Sequence, residues 1–145
     1  MKKRQQLKPK LSKSAIQLRE QIDDAFPDRD RRSDSGIYSD ARHAARKSDH
    51  NADVNGWVHA IDISRGLSEG RDVMPDLVDQ VRLYAKKHGR FSYIIFDEKI
   101  ASPILRWKWR KYKGINKHNK HAHFSFREDA KLDDSFFKEI PLIGE

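Results

Sequence analysis

The stretch His121-Ala122-His123-Phe124-Ser125-Phe126 constrains this chain more than any other, because it reads as a strand with two faces of opposite character. His121, His123 and Ser125 point one way, and Ala122, Phe124 and Phe126 point into a core. A second strand signal, Phe91 to Phe96, is a short apolar run bounded by Gly89 and the turn-like Asp97-Glu98, and Lys99-Ile100-Ala101 is placed to hairpin onto it. A third, Trp57 to Ile63, alternates so that Val58, Ala60 and Asp62 share one face while Trp57, His59 and Ile61 share the other.

Two helices are expected around these strands. Ser14 can cap a helix in which Ala15, Leu18, Ile22 and Phe26 recur at helical spacing, with Pro27 at its end. Pro75 suits the first turn of another, whose Leu77, Val78, Val81, Tyr84 and Ala85 form a buried stripe. Lys86, Lys87 and His88 before Gly89 complement the carboxyl end of its dipole. Residues 1–13 are dominated by Lys, Arg and Gln and read as a basic flexible arm, and residues 28–40 read as loop. The remainder, 14–145, is expected to be a single domain.

Composition narrows the chemistry. A chain of 145 residues buries roughly 70% of its extended surface, enough to fold without staples. It has no cysteine, which excludes a disulfide framework, a thiolate zinc finger, an iron–sulfur cluster and a cysteine nucleophile, so any metal must use nitrogen and oxygen ligands. No apolar run approaches the roughly 20 residues needed to span a bilayer, and the basic Met1-Lys2-Lys3-Arg4 is not followed by an apolar secretory core. No signal peptide or transmembrane segment is therefore expected. The net charge of +8 predicts a polyanionic partner or setting without choosing among nucleic acid, anionic lipid and a phosphate-rich bacterial envelope.

The histidines sharpen the choice. His121 and His123 lie about 7 Å apart on one strand face, near enough for one to bind a metal while the other handles its water. A solvated polar face is the plainer reading of that pair by itself. Ser48-Asp49-His50-Asn51 adds a histidine in a polar, turn-rich context, and Asp62 adds a carboxylate on an otherwise apolar strand, where leaving it unpaired would be costly. Two imidazoles and one carboxylate with a fourth position left to water are the ligand set of a catalytic zinc. Such a zinc lowers the pKa of its water from about 15.7 to about 7 and polarises a carbonyl, which implies amide or ester hydrolysis.

Several strings together carry a resemblance: Ser48-Asp49-His50-Asn51, Gly56-Trp57-Val58-His59-Ala60-Ile61-Asp62-Ile63, Trp107-Lys108-Trp109-Arg110 and His118-Asn119-Lys120-His121-Ala122-His123-Phe124-Ser125. They resemble the catalytic module of phage peptidoglycan endolysins, which belong with the zinc D-Ala-D-Ala carboxypeptidases and L-alanyl-D-glutamate endopeptidases of the hedgehog-like fold. The likeness covers about residues 14 to 126. It implies that His50, Asp62 and His123 hold Zn2+, that His121 is the general base and acid, and that His118 stabilises the developing oxyanion or orients the water. The chain departs from the wider family in its longer interval between His50 and Asp62, and in having His121 where many members have an acidic residue.

Arg46 and Ser48 are candidates to hold a substrate carboxylate or carbonyl, since an arginine fork matches a carboxylate in two hydrogen bonds. A surface pair of Arg46 with Asp49 or Asp53 competes with that role. His59, opposite Asp62, is expected to be packed or to support the ligands from behind.

The fold implied is α+β, hedgehog/DD-peptidase-like: a small antiparallel sheet carrying Asp62 and His123, flanked by helices near 14 to 26 and 75 to 88. The expected protein is a monomeric endolysin of the host cytoplasm that reaches the cell wall after release, with the peptidoglycan stem peptide as substrate and the anionic cell envelope as its setting.

The competing reading is a nucleic-acid-binding protein or a metal-dependent nuclease. Lys and Arg interleaved with Trp107, Trp109 and Tyr112 would serve a single-strand platform by stacking and phosphate neutralisation. Against it, the chain has no recognisable nucleic-acid fold signature, and a two-metal nuclease would want more carboxylates than Asp62 supplies. A component that keeps the fold without zinc or activity is a third reading.

Overall fold

A computed structural model describes residues 8–37 and 48–144 of the chain. Its class is the α+β one expected, and the described residues form two α-helices and a five-stranded antiparallel sheet. The elements run β1 (Lys10–Leu11), α1 (Lys13–Ala25), β2 (Trp57–Val58), β3 (Ala60–Ser64), α2 (Met74–His88), β4 (Phe91–Phe96), β5 (Lys99–Ala101), β6 (Arg110–Lys111) and β7 (His121–Phe126). The main sheet has the order β3-β7-β4-β5-β6, so the two-faced strand β7 lies between β3 and β4.

One face of this sheet is the core. Ile61 and Ile63 of β3 pair with Phe124 and Ala122 of β7, and Ile94 of β4 pairs with Phe124 from the other side. Paired residues project to the same face, so these side chains form one apolar layer. Against it pack Ala15, Leu18 and Ile22 of α1 and Leu77, Val78, Val81 and Ala85 of α2, all buried. A bulge between Phe91 and Tyr93 adds a residue to β4. It turns Phe91 onto the core face beside Phe126, at 4.7 Å between ring centroids, while Tyr93 stays on the other face opposite Ser125.

Three local expectations change. The strand expected over 57–63 breaks at His59: Trp57–Val58 pairs in parallel with Lys10–Leu11, and only Ala60–Ser64 joins the main sheet. The basic arm expected over 1–13 is consequently tied down at its end, where Ser12 N–H donates to the Val58 carbonyl and Ser12 is buried.

Ser14 is not the helix cap, because the helix begins one residue earlier, after Ser12. The Ser14 hydroxyl is buried, accepts a hydrogen bond from Arg90 Nε at 2.8 Å, and lies 2.8 and 2.7 Å from the carbonyl oxygens of Ala130 and Asp133. That contact docks the C-terminal segment, whose Phe137, Ile140 and Ile143 complete the core. Gln21 holds the same segment, donating to the Phe137 and Ile143 carbonyls and accepting from Phe137 N–H.

The loop after α1 covers the free edge of β3. Ser35 and Asp62 exchange backbone hydrogen bonds at 2.7 and 3.1 Å, and Asp34 accepts from Ser64 N–H. Arg29, its side chain fully enclosed, holds this loop with a two-pronged contact to Asp34 and a third bond to Asp23. Such a planar fork restricts its partner more tightly than a point charge would.

Candidate metal centre

The face of β3, β7 and β4 opposite the core is polar but not solvated. Asp62 and His123 sit directly across from one another in the antiparallel ladder, as the sequence pattern allowed but did not require. His50 reaches them from the turn that precedes β2, in which the Ser48 hydroxyl accepts the His50 N–H at 3.2 Å. All three residues are buried.

Their donor atoms converge. His123 Nδ1 lies 2.9 Å and His50 Nε2 3.1 Å from Asp62 Oδ1, and the two ring nitrogens are 3.3 Å apart. One ligand atom from each residue falls within 4.8 Å of the others, so the group could hold a metal ion.

The ring atoms facing away decide what the converging ones can do. His50 Nδ1–H donates to the Gly36 carbonyl at 2.7 Å. His123 Nε2–H donates at 2.7 Å to Ser125 Oγ, whose own proton goes to Asp49 Oδ2 at 2.9 Å. With each ring's proton committed outward, the inner nitrogens present lone pairs to a carboxylate oxygen. Three acceptors at these separations repel unless a cation, a proton or a metal ion, lies among them.

The acid–base balance has the same cause. Burial works to lower the His50 imidazole, but the hydrogen bond and charge of Asp62 outweigh it and raise its pKa. Burial works to raise the Asp62 carboxyl, but His123 and His50 outweigh it and hold it well below the usual carboxylate range.

The remaining predicted residues fall into two groups. His121 is beside the centre, its buried Nε2 3.6 Å from Asp62 Oδ2 and without a hydrogen-bond partner among the described residues. Burial pushes its pKa down, with the attraction of Asp62 only partly compensating. His118 follows, its ring 5.0 Å from His121 and 5.6 Å from His123. Its Nδ1–H donates to the Asn116 carbonyl at 2.8 Å, and burial, followed by the neighbouring His123 and His121, lowers its pKa to about 4. His118 holds a positive φ of 53°, and its carbonyl is tied to Asp97 N–H.

Ser48 shapes the turn presenting His50, and Arg46 lies outside the described residues. His59 is apart from the centre and bonds Asp53 at 2.8 Å.

Several supporting groups have only faint sequence signals. Ser125 shares a strand face with His123, but its bond to Asp49 spans 76 positions. Tyr93, stacked on the His123 ring at 5.3 Å and 12°, is placed there by the bulge. The Gly36 carbonyl is a backbone atom in a loop and leaves no residue-type signal.

Of the aromatic residues on which the competing nucleic-acid reading rests, Trp107 is buried and Trp109 and Tyr112 are half-buried and held by specific partners. Trp107 is 5% exposed, Trp109 Nε1–H donates to Asp79 at 3.0 Å, and Tyr112 packs edge-on against His118. No protein-family model, curated protein or solved structure matches the chain.

Proposed function

We propose that this chain is a zinc-dependent peptidoglycan peptidase of the endolysin kind, with a hedgehog/DD-peptidase-like fold, that hydrolyses an amide bond in the wall's stem peptide. The observation that carries the reading is the convergence of two histidine lone pairs on one carboxylate oxygen, with both rings anchored from behind. Two nitrogens and an oxygen suit zinc, and three protein ligands leave a position open. Held there, zinc would supply Lewis acidity and lower the pKa of a water that it binds.

The chain's own groups supply the rest. Burial favours the neutral form of His121, whose ring can then accept a proton from the attacking water. As the water oxygen bonds to the peptide carbon and the C–N bond breaks, His121 returns that proton to the departing amine.

His118 in its present tautomer offers an acceptor at Nε2, which suits orienting the water better than donating to an oxyanion. The competing nucleic-acid reading is weakened by the burial of Trp107 and by the hydrogen bond that ties the half-buried Trp109 to Asp79, which reduces the aromatic surface free for base stacking.

The test separates binding from chemistry. Purified protein should carry zinc by elemental analysis and release stem-peptide fragments from purified cell wall, with mass spectrometry identifying the bond cut. His123→Ala should lose both zinc and activity. His121→Ala should keep zinc and lose wall hydrolysis by at least about a hundredfold, the lower range for a proton-transfer group. Full hydrolysis by His121→Ala would remove it from the mechanism, and wild-type protein that takes up no zinc would end the proposal.

A further inference from the structure

The centre leaves unused a strongly basic edge of the sheet. Between Glu98 and Glu128 there are nine Lys and Arg residues and no acidic residue, more than the whole net charge of +8. Its part before β7, residues 99–120 with eight of those cations, forms the open edge of the sheet, β5 and β6, with the loops on either side of β6.

In that edge Lys99 and Lys111 face each other across the ladder, an arrangement that like charges disfavour. Lys99, Lys108, Lys111 and Lys113 are exposed and make no ion pair among the described residues. Asp97 and Glu98 border the edge and Glu98 pairs with Lys117 at 3.7 Å, but these four lysines are left without an internal partner among the described residues.

The same segment also displays apolar side chains. Ile104 and Leu105 are 67% and 58% exposed on a turn in which Leu105, Arg106 and Trp107 all take positive φ. A bulky residue in that conformation is held there by its surroundings, here by Trp107 N–H donating to the Ser102 carbonyl and by the buried Trp107 ring. On the far side of β6, Ile115 is fully exposed. Single exposed apolar residues are ordinary. An adjacent pair presented on a strained turn, within a belt of unneutralised lysines, fits a surface that is anionic outside and apolar beneath.

We propose that the β5–β6 edge with its flanking loops docks on an anionic lipid bilayer, the lysines meeting headgroup phosphates while Ile104 and Leu105 enter the acyl boundary. A linear polyanion would satisfy the charges and leave the apolar tips without purpose. Nucleic acid meets the further objection that Trp107 is buried and Trp109 is tied to the acidic Asp79. The inference is independent of the chemistry at the metal centre.

Flotation with vesicles of phosphatidylglycerol mixed into phosphatidylcholine, against vesicles of phosphatidylcholine alone, tests it in the full chain. Wild-type protein should bind the anionic vesicles and not the neutral ones. Lys108→Ala/Lys111→Ala/Lys113→Ala should weaken binding by about a hundredfold, given the contribution expected of each cation near such a surface. Ile104→Ser/Leu105→Asn, with asparagine chosen because it tolerates positive φ, should weaken it several-fold and make the remainder more salt-sensitive.

Both variants alter exposed side chains, and unchanged circular dichroism and zinc uptake would show that the body is intact. Equal binding of wild type to both vesicle types, or to neither, would overturn the proposal. So would a tip variant that binds like wild type while soluble polyphosphate displaces both, since the edge would then be a plain polyanion site.

Discussion

The two faces of β7 are buried to a similar degree and built on opposite principles. On one, Ala122, Phe124 and Phe126 meet the helices, and every contact adds stability by removing apolar surface from water. On the other, His123 and Ser125 are as enclosed as the phenylalanines, yet each polar atom there requires a specific partner to offset its desolvation. The apolar face tolerates variation in shape at modest cost. The polar face spends stability to hold three acceptors where only a cation satisfies them, which is the arrangement expected of a site selected for binding and not for folding.

The largest expected break in that contrast is Phe124→Ala. Phe124 has no exposed surface and pairs with both Ile61 and Ile94. Its truncation should cost about 3–5 kcal/mol, a large share of the roughly 5–15 kcal/mol of a typical domain. Urea denaturation should register it with or without zinc, and a loss below about 1 kcal/mol would mean that this face is not the core.

Ser125→Ala acts on the other face and should behave differently. It removes the link between His123 Nε2 and Asp49. Stability should fall by only about 1–3 kcal/mol, while zinc affinity, measured by chelator competition, should drop about 10–100-fold. Unchanged affinity would show that the relay from Asp49 does not orient the ring.

The smallest effect is expected far from both faces, where Glu139 pairs with Lys87 at 2.8 Å and with His88. Hydrogen bonds from Lys87 and then His88 hold the Glu139 carboxyl at about 2. Because the folded value is depressed, its stabilisation is present above the ordinary glutamate pKa and is lost as pH falls through about 2. Glu139→Gln should therefore flatten the acid side of the melting profile slightly and leave zinc affinity untouched. A change in zinc affinity would show that the C-terminal segment and the centre are coupled.

Much of this is legible in the sequence. The spacing of Leu77, Val78, Val81 and Ala85 locates α2, and the run Phe91 to Phe96 locates a strand that lies inside the sheet. Placing Asp62 and His123 on strands made their meeting possible, but the register that sets them opposite each other is a property of the ladder. Ser14 shows the limit of local reading: it has the chemistry of a cap, yet its hydroxyl is taken by Arg90 and by carbonyls 116 and 119 positions away. Arg29 differs in having its partners Asp23 and Asp34 close in sequence, yet among the neighbouring arginines nothing marks it as the one whose side chain is enclosed.

By itself the chain determined which side chains share a strand or helix face, because period 2 and period 3.6 are consequences of backbone geometry. It likewise determined that any metal would be held by imidazole and carboxylate, since it contains no thiol. The resemblance already names His50 as the partner of Asp62 and His123, but only the tertiary structure decided which nitrogen of each ring faces inward, and that Tyr93 stacks on the site. Those outcomes depend on a loop carbonyl, a bulge and a hydrogen bond spanning 76 positions. Contacts so distant in sequence form when the whole fold closes around them, and they leave no periodicity for local inspection to detect.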